Sequence, residues 1–175
     1  MSTRTVRTTA LASREELADA VQSLFIAELL APSTPLWIVT PWISDVAVID
    51  NRAGRLTGLL PDMPPRQIRL AEALFSHLQR GGSIVIACRP DDHNQGFIDH
   101  LTERARDRGV GDRLACRRSS NLHEKGILTR RILVSGSMNL TYNGMRRLEE
   151  SIRLTDDDDT VTRARHAYED RWGRP

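Results

Sequence analysis

A single lysine, Lys125, stands among 25 basic residues, and the other 24 are arginines. An arginine-biased composition explains the 24. It does not explain why the one lysine stands two positions after a histidine, His123. A site that needs a compact ammonium cannot use a planar guanidinium fork in its place. On strand spacing, His123 and Lys125 point to the same face. Downstream, the apolar run Ile132-Leu133-Val134 leads into Ser135-Gly136-Ser137-Met138-Asn139. Gly136 lets the chain turn sharply, and Ser137 and Asn139 then present polar side chains near a predicted helix start, where backbone N–H groups favour an anion. An imidazole, an ammonium, a hydroxyl and a carboxamide together suit a phosphate: one nucleophile or acid, one cation and two neutral donors.

His123-x-Lys125, then Gly136-Ser137-x-Asn139, then Glu150 fourteen residues after the glycine, resembles the motif of the phospholipase D (HKD) superfamily of nucleases and phosphodiesterases. The motif covers residues 122–150, and the predicted order of strands and helices from about 36 to 172 is similar to one half of such an enzyme. The resemblance implies that His123 is the nucleophile or the general acid. It implies that Lys125 and Asn139 hold the non-bridging phosphate oxygens with Ser137 beside them, and that Glu150 orients the histidine. Glu149 would face the other way on a strand. One position departs from the pattern: the aspartate usual five residues after the lysine is Arg130 here, and no Asp or Glu lies between Lys125 and Gly136. The spacing from the lysine to Gly-Ser is also one residue shorter than usual. Either a tight hairpin turning at Thr129-Arg130-Arg131 has replaced the aspartate, or the site has lost some activity.

The activity implied is metal-independent phosphodiester hydrolysis through a phosphohistidine, with no cofactor and no metal site. Nucleic acid is the expected substrate, DNA ahead of RNA. Arginine patches at 104–108, 117–118, 130–131 and 146–147 could track phosphates, although arginines are spread throughout the chain. Similar small bacterial proteins accompany phage-defence and DNA-modification genes, which is an analogy. Two alternatives stand beside this reading. One is a catalytically weakened module that binds nucleic acid or a partner protein in such an assembly. The other is a phospholipid phosphodiesterase, disfavoured by the small size and by the lack of an amphipathic membrane helix. The two-step chemistry needs two histidines and the chain holds one H-x-K motif, so a homodimer or a heteromeric partner must complete the site.

Trp42 and Ser44 follow the first buried strand, where ligands of α/β proteins tend to sit, and could wall the pocket or, for Trp42, stack a base. His93 reads as a loop and helix-cap residue, His77, His100 and His166 as helix-surface residues, and Trp37 as core.

These groups must be positioned by an α/β layer fold: one phospholipase D-like domain, a mixed β-sheet flanked by helices on both faces. Residues 1–12 read as a flexible tail and 13–175 as the domain. Ser13 and Glu16 form a capping box for a helix with Leu17, Val21, Leu24, Phe25 and Leu29 inward. Strands are expected at 35–40, 83–88, 114–117, 124–128, 132–135 and 150–154. Further helices are expected at 66–80, 94–108 and 141–148, with a last one after Asp156–Asp159. The stretch 42–65, rich in Gly and Pro, reads as a long excursion without regular structure. A composition of 39% hydrophobic and 27% charged residues is that of a globular protein. No apolar run approaches the roughly 20 residues of a membrane span. The N-terminus lacks the apolar stretch of a secretory leader, so the expected compartment is the cytoplasm. Two cysteines, Cys88 and Cys116, read as reduced thiols.

Overall fold

A computed structural model describes residues 3–8 and 11–175 of the chain. Among them run β1 (Thr3–Arg7), α1 (Leu11–Leu30), β2 (Leu36–Val39), β3 (Ala47–Asp50), β4 (Gln67–Arg69), α2 (Leu70–Gln79), β5 (Ile84–Cys88) and α3 (Asp92–Asp107). They are followed by β6 (Leu114–Arg118), β7 (Gly126–Leu128), β8 (Leu133–Gly136), α4 (Tyr142–Arg146), β9 (Ser151–Thr155) and α5 (Asp158–Trp172). Seven strands form one sheet in the order β1-β9-β8-β7-β2-β5-β6. β2, β5 and β6 are parallel, and β7, β8, β9 and β1 continue from β2 antiparallel, so the sheet is mixed.

The alternation of side chains along each strand divides the core between two faces. Ile38, Ile84, Ile86, Ile127, Val134 and Ile152 pack against α1, α2 and α3. Trp37, Val39, Val85, Ala87 and Leu128 pack against Val161, Tyr168 and Trp172 of α5. The expected two-sided cover of helices is therefore present, with Trp37 in the core. Cys88 is buried and Cys116 partly so, and both are free thiols. No helix among the described residues is long and apolar enough to cross a membrane.

Four readings change. The expected tail of residues 1–12 is a strand over Thr3–Arg7, paired with β9 from Thr3↔Thr155 to Arg7↔Ser151. Its only apolar residue is the buried Val6, so periodicity carried no signal; residues 1, 2, 9 and 10 lie outside the described residues. α1 begins at Leu11, which puts Ser13 inside the first turn rather than at the cap. The excursion after Trp42 holds β3, which pairs with β4, and β4 occupies the first residues of the expected helix. Buried Asn51 organises the loop between them: its carbonyl accepts from Leu56 N at 3.0 Å, and its NH2 donates to the Met63 and Pro64 carbonyls. His77, expected on the surface, is 1% exposed and faces the carbonyls of Glu28 and Ser33 at 3.3 and 3.1 Å.

Candidate active site

Parallel β2 and β5 run toward one end of the sheet, and antiparallel β7 starts from that end. The register Val39↔Gly126, Gly126↔Ser135 and Gly136↔Ile152 sets Thr40, Lys125, Ser137 and Glu150 along this edge. His123, Arg89 and Trp42 lie on the connections just beyond it.

β7 starts at Gly126 rather than at the expected residue 124, so Lys125 as well as His123 stands on the approach to the strand. Side chains supply this approach with partners. The Leu122 carbonyl accepts from Arg89 Nε at 2.8 Å, and the His123 carbonyl accepts from Lys125 Nζ at 2.7 Å. Alternation still applies: Lys125 lies on the face of Ile127 and lines a narrow crevice with Thr40, Gly136, Met138 and Leu140. Glu124 turns to the opposite face, where it pairs with Arg171 at 3.4 Å and bonds the Tyr168 hydroxyl. Burial first, and the Glu124 carboxylate second, push the Tyr168 phenol far above its ordinary pKa, so it remains a neutral donor. Gly126 permits this contact, because a Cβ there would run into the Tyr168 hydroxyl.

Gly136 has φ +154°, and a Cβ at that position would meet the Ser151 carbonyl oxygen. The turn sends Ser137 across to β9. Its N–H donates to Ser151 O at 2.9 Å, its Oγ accepts from Ser151 N at 3.0 Å, and its hydroxyl donates to Glu150 Oε2. Glu150 is buried, whereas Glu149 is exposed, as alternation requires. The backbone of Glu150 is clasped by Thr8: Glu150 N donates to Thr8 Oγ1 at 2.6 Å, and Thr8 N donates to Glu150 O at 2.8 Å. Asn139 Oδ1 accepts from Thr40 Oγ1 at 3.2 Å, which turns the amide so that its NH2 is the donor left over.

The carboxylate that the resemblance assigns to orienting the histidine is thus bonded to Ser137. The partner of the exposed His123 ring is Arg89, whose Nη2 lies 3.0 Å from Nε2 and 3.3 Å from Nδ1. Arg89 escaped the sequence reading. Its place just past β5, at the end of parallel strands where ligands collect, is the signal that could have found it. Trp42 is a platform: the Arg89 guanidinium lies 4.9 Å from its ring centroid, and its indole N–H donates to Asp91 Oδ2 at 3.3 Å. Asp91 also caps α3 by accepting from His93 N. That backbone bond first, and the Trp42 bond second, hold the Asp91 carboxyl below its ordinary range. Ser44 Oγ lies 2.8 Å from His93 Nε2, beside the same connection.

Arg130, at the aspartate position, lies at the other end of β7. Thr129 N donates to Ile132 O at 2.9 Å, and Thr129 Oγ1 accepts from Arg131 N and Ile132 N. Arg130 N donates to Ser33 Oγ at 2.7 Å. Hydroxyls thus satisfy the donors of this tight turn, and the three residues of β7, on the order of 10 Å of strand, separate it from Lys125.

No protein-family model matches the sequence, and no curated protein matches it significantly. Solved structures do. Nuc from Salmonella typhimurium, a phospholipase D family member, superposes with a TM-score of 0.62 over 99% of this chain and 95% of its own, at 13% identity. The fold is phospholipase D-like. NucT from Helicobacter pylori gives a TM-score of 0.57 over 97% of this chain and 95% of its own, at 14% identity. TrmBL2, an archaeal chromatin protein with a novel mode of DNA binding, gives 0.55 over 98% of this chain and 52% of its own, at 10% identity. In this phospholipase D-like frame, the edge described above carries an exposed imidazole, an ammonium, a guanidinium and an amide donor. Each is of a type from which a phosphate oxygen can accept a hydrogen bond.

Proposed function

We propose that the chain is a metal-independent phosphodiesterase acting on nucleic acid, with DNA ahead of RNA. The observation that carries this reading is the gathering of His123, Lys125, Ser137, Asn139 and Glu150 at one end of a phospholipase D-like sheet. In the first step an imidazole nitrogen of His123 bonds to phosphorus and the P–O bond to the leaving group breaks, while a second histidine protonates the departing oxygen. That second histidine then takes a proton from water, whose oxygen displaces His123 and restores both residues. Lys125 and the Asn139 NH2 balance the charge on the non-bridging oxygens, and Ser137 ties Glu150 to this cluster. The second histidine comes from another copy of the chain in a twofold dimer, or from a different protein that supplies the same half-site. Arg118 adjoins Arg89, so one of the arginine patches flanks the site, whereas 130–131 lies at the far end and Arg146 lines a separate cavity with Asp50 and Arg69.

A second reading, a nucleic-acid-binding module without turnover, draws support from the Arg89 contact on His123 and from the likeness to a DNA-binding chromatin protein. One assay separates the two: hydrolysis of bis(p-nitrophenyl) phosphate and of a labelled DNA, with EDTA present, by wild type and by His123→Asn. The enzyme reading expects activity that persists in EDTA and is lost in the variant. Binding of DNA with no hydrolysis by wild type would leave the module, and activity that needs added Mg²⁺ or survives in His123→Asn would move the chemistry elsewhere.

A further inference from the structure

Arg89 holds a position that the motif does not account for. It is half-buried, its Nε is fixed on the Leu122 carbonyl, its plane lies over Trp42, and its Nη2 is shared between the two ring nitrogens of His123. Its Nη1 has no partner among the described residues. The near-equal distances set Nη2 against the face of the ring, in line with neither nitrogen's lone pair, so the guanidinium covers the imidazole and holds a positive charge against it. The face of an imidazole ring is the weaker partner for a guanidinium. A phosphate oxygen forms charge-assisted bonds about twice as strong as neutral ones, and the planar fork can grip two oxygens at once.

We infer that Arg89 is a phosphate-binding residue that masks His123 in the free protein and gives it up to the substrate. A phosphate arriving between Lys125 and Asn139 competes with the imidazole for the Arg89 donors. As the guanidinium bonds the anion, it leaves the ring, and His123 is uncovered beside the phosphorus it would attack. Trp42, pinned by Asp91, gives the guanidinium a flat surface over which the exchange is a short displacement rather than a new conformation. The ring of His123 is thus uncovered only when a phosphate is bound. This inference rests on the phosphodiesterase reading for its purpose, but its two physical parts, the mask and the anion contact, can be measured without turnover.

The experiment uses the full chain and the variants Arg89→Met and Arg89→Lys. Carbethoxylation of His123 by diethyl pyrocarbonate is followed by peptide mass spectrometry, with exposed His100 and His166 as internal references. Binding of inorganic tungstate is followed by calorimetry. In Arg89→Met, His123 should react several-fold faster than in wild type while the reference histidines are unchanged, and tungstate should bind about tenfold more weakly or worse. Arg89→Lys keeps the charge without the fork, so it should unmask His123 yet recover part of the tungstate affinity; it also carries the test if the methionine variant fails to fold. Unchanged His123 reactivity, or unchanged tungstate affinity, in a folded variant would overturn the inference. Loss of both the mask and the anion contact in the variants, with no hydrolysis of any phosphodiester by wild type, would sustain the Arg89 role and defeat the enzyme reading instead.

Discussion

Lys125 holds the carbonyl of His123 at 2.7 Å, so the single ammonium of the chain shapes the same two-residue step that presents the imidazole. The crevice it lines is closed in by Gly136 and Met138, and a planar guanidinium has neither the size nor the approach to replace it. Lys125→Arg should therefore lose turnover by about 100-fold or more, the scale set by removing one preorganised donor from a charged transition state. Circular dichroism should show an unchanged fold, and near-normal turnover would mean that the lone lysine is incidental. The residues of the motif were legible because their types are rare in this chain or their spacing is narrow: one lysine, a Gly-Ser pair, a carboxylate in register. Arg89 was hidden by abundance, one arginine among 24. Thr8 was beyond reach, since its bond to Glu150 spans 142 positions and leaves no local pattern.

Elements were legible where apolar residues recur and illegible where polar contacts define them. α2, α3, α5 and the strands around β2 and β5 were announced by their buried faces. β3 and β4 form a short hairpin whose connecting loop is fastened by one asparagine, and no periodicity marks that. At the sheet end opposite the candidate site, the connection from α1 to β2 is fastened in a similar way. Glu28 accepts from Ser33 N at 3.0 Å and from Ser33 Oγ at 2.9 Å, with His77 3.6 Å away and Arg130 N on the Ser33 hydroxyl. Burial raises the Glu28 carboxyl above its ordinary value, against the lowering effects of the Ser33 bonds, His77 and Arg130. A carboxyl whose folded pKa is raised favours the native state below the unfolded pKa, and that contribution is lost as pH rises through the folded pKa. The stability difference between wild type and Glu28→Gln should therefore shrink, moving against wild type, as pH rises above about 4.5. Urea midpoints measured from pH 4 to pH 7 on both proteins check this, and a difference that grows with pH would contradict it.

At the scale of the whole molecule, the edge that carries His123 holds one H-x-K motif, and the chemistry proposed for it needs an imidazole on each side of the phosphorus. A twofold dimer bringing two such edges together is the simplest arrangement with closed symmetry. Sedimentation velocity at micromolar concentration should show a dimer, and a strict monomer that still hydrolyses phosphodiesters would rule out the paired-histidine mechanism. The sheet is also closed at its outer edge by the first strand of the chain, laid against the last, with Thr8 clasping the backbone of Glu150. That clasp bears on how the protein is cut for study. A fragment trimmed to the span that looks necessary, from the first buried strand to the last helix, would keep every motif residue. It would also release Glu150 from Thr8 and expose the edge of β9 to pairing with another chain. Deletion of residues 1–8 should lower both the melting temperature and the turnover of the remaining fragment, measured by scanning calorimetry and by the same hydrolysis assay. Silence from such a trimmed fragment would then mark the loss of a strand from the sheet edge, and would say nothing about whether the intact chain can break a phosphodiester.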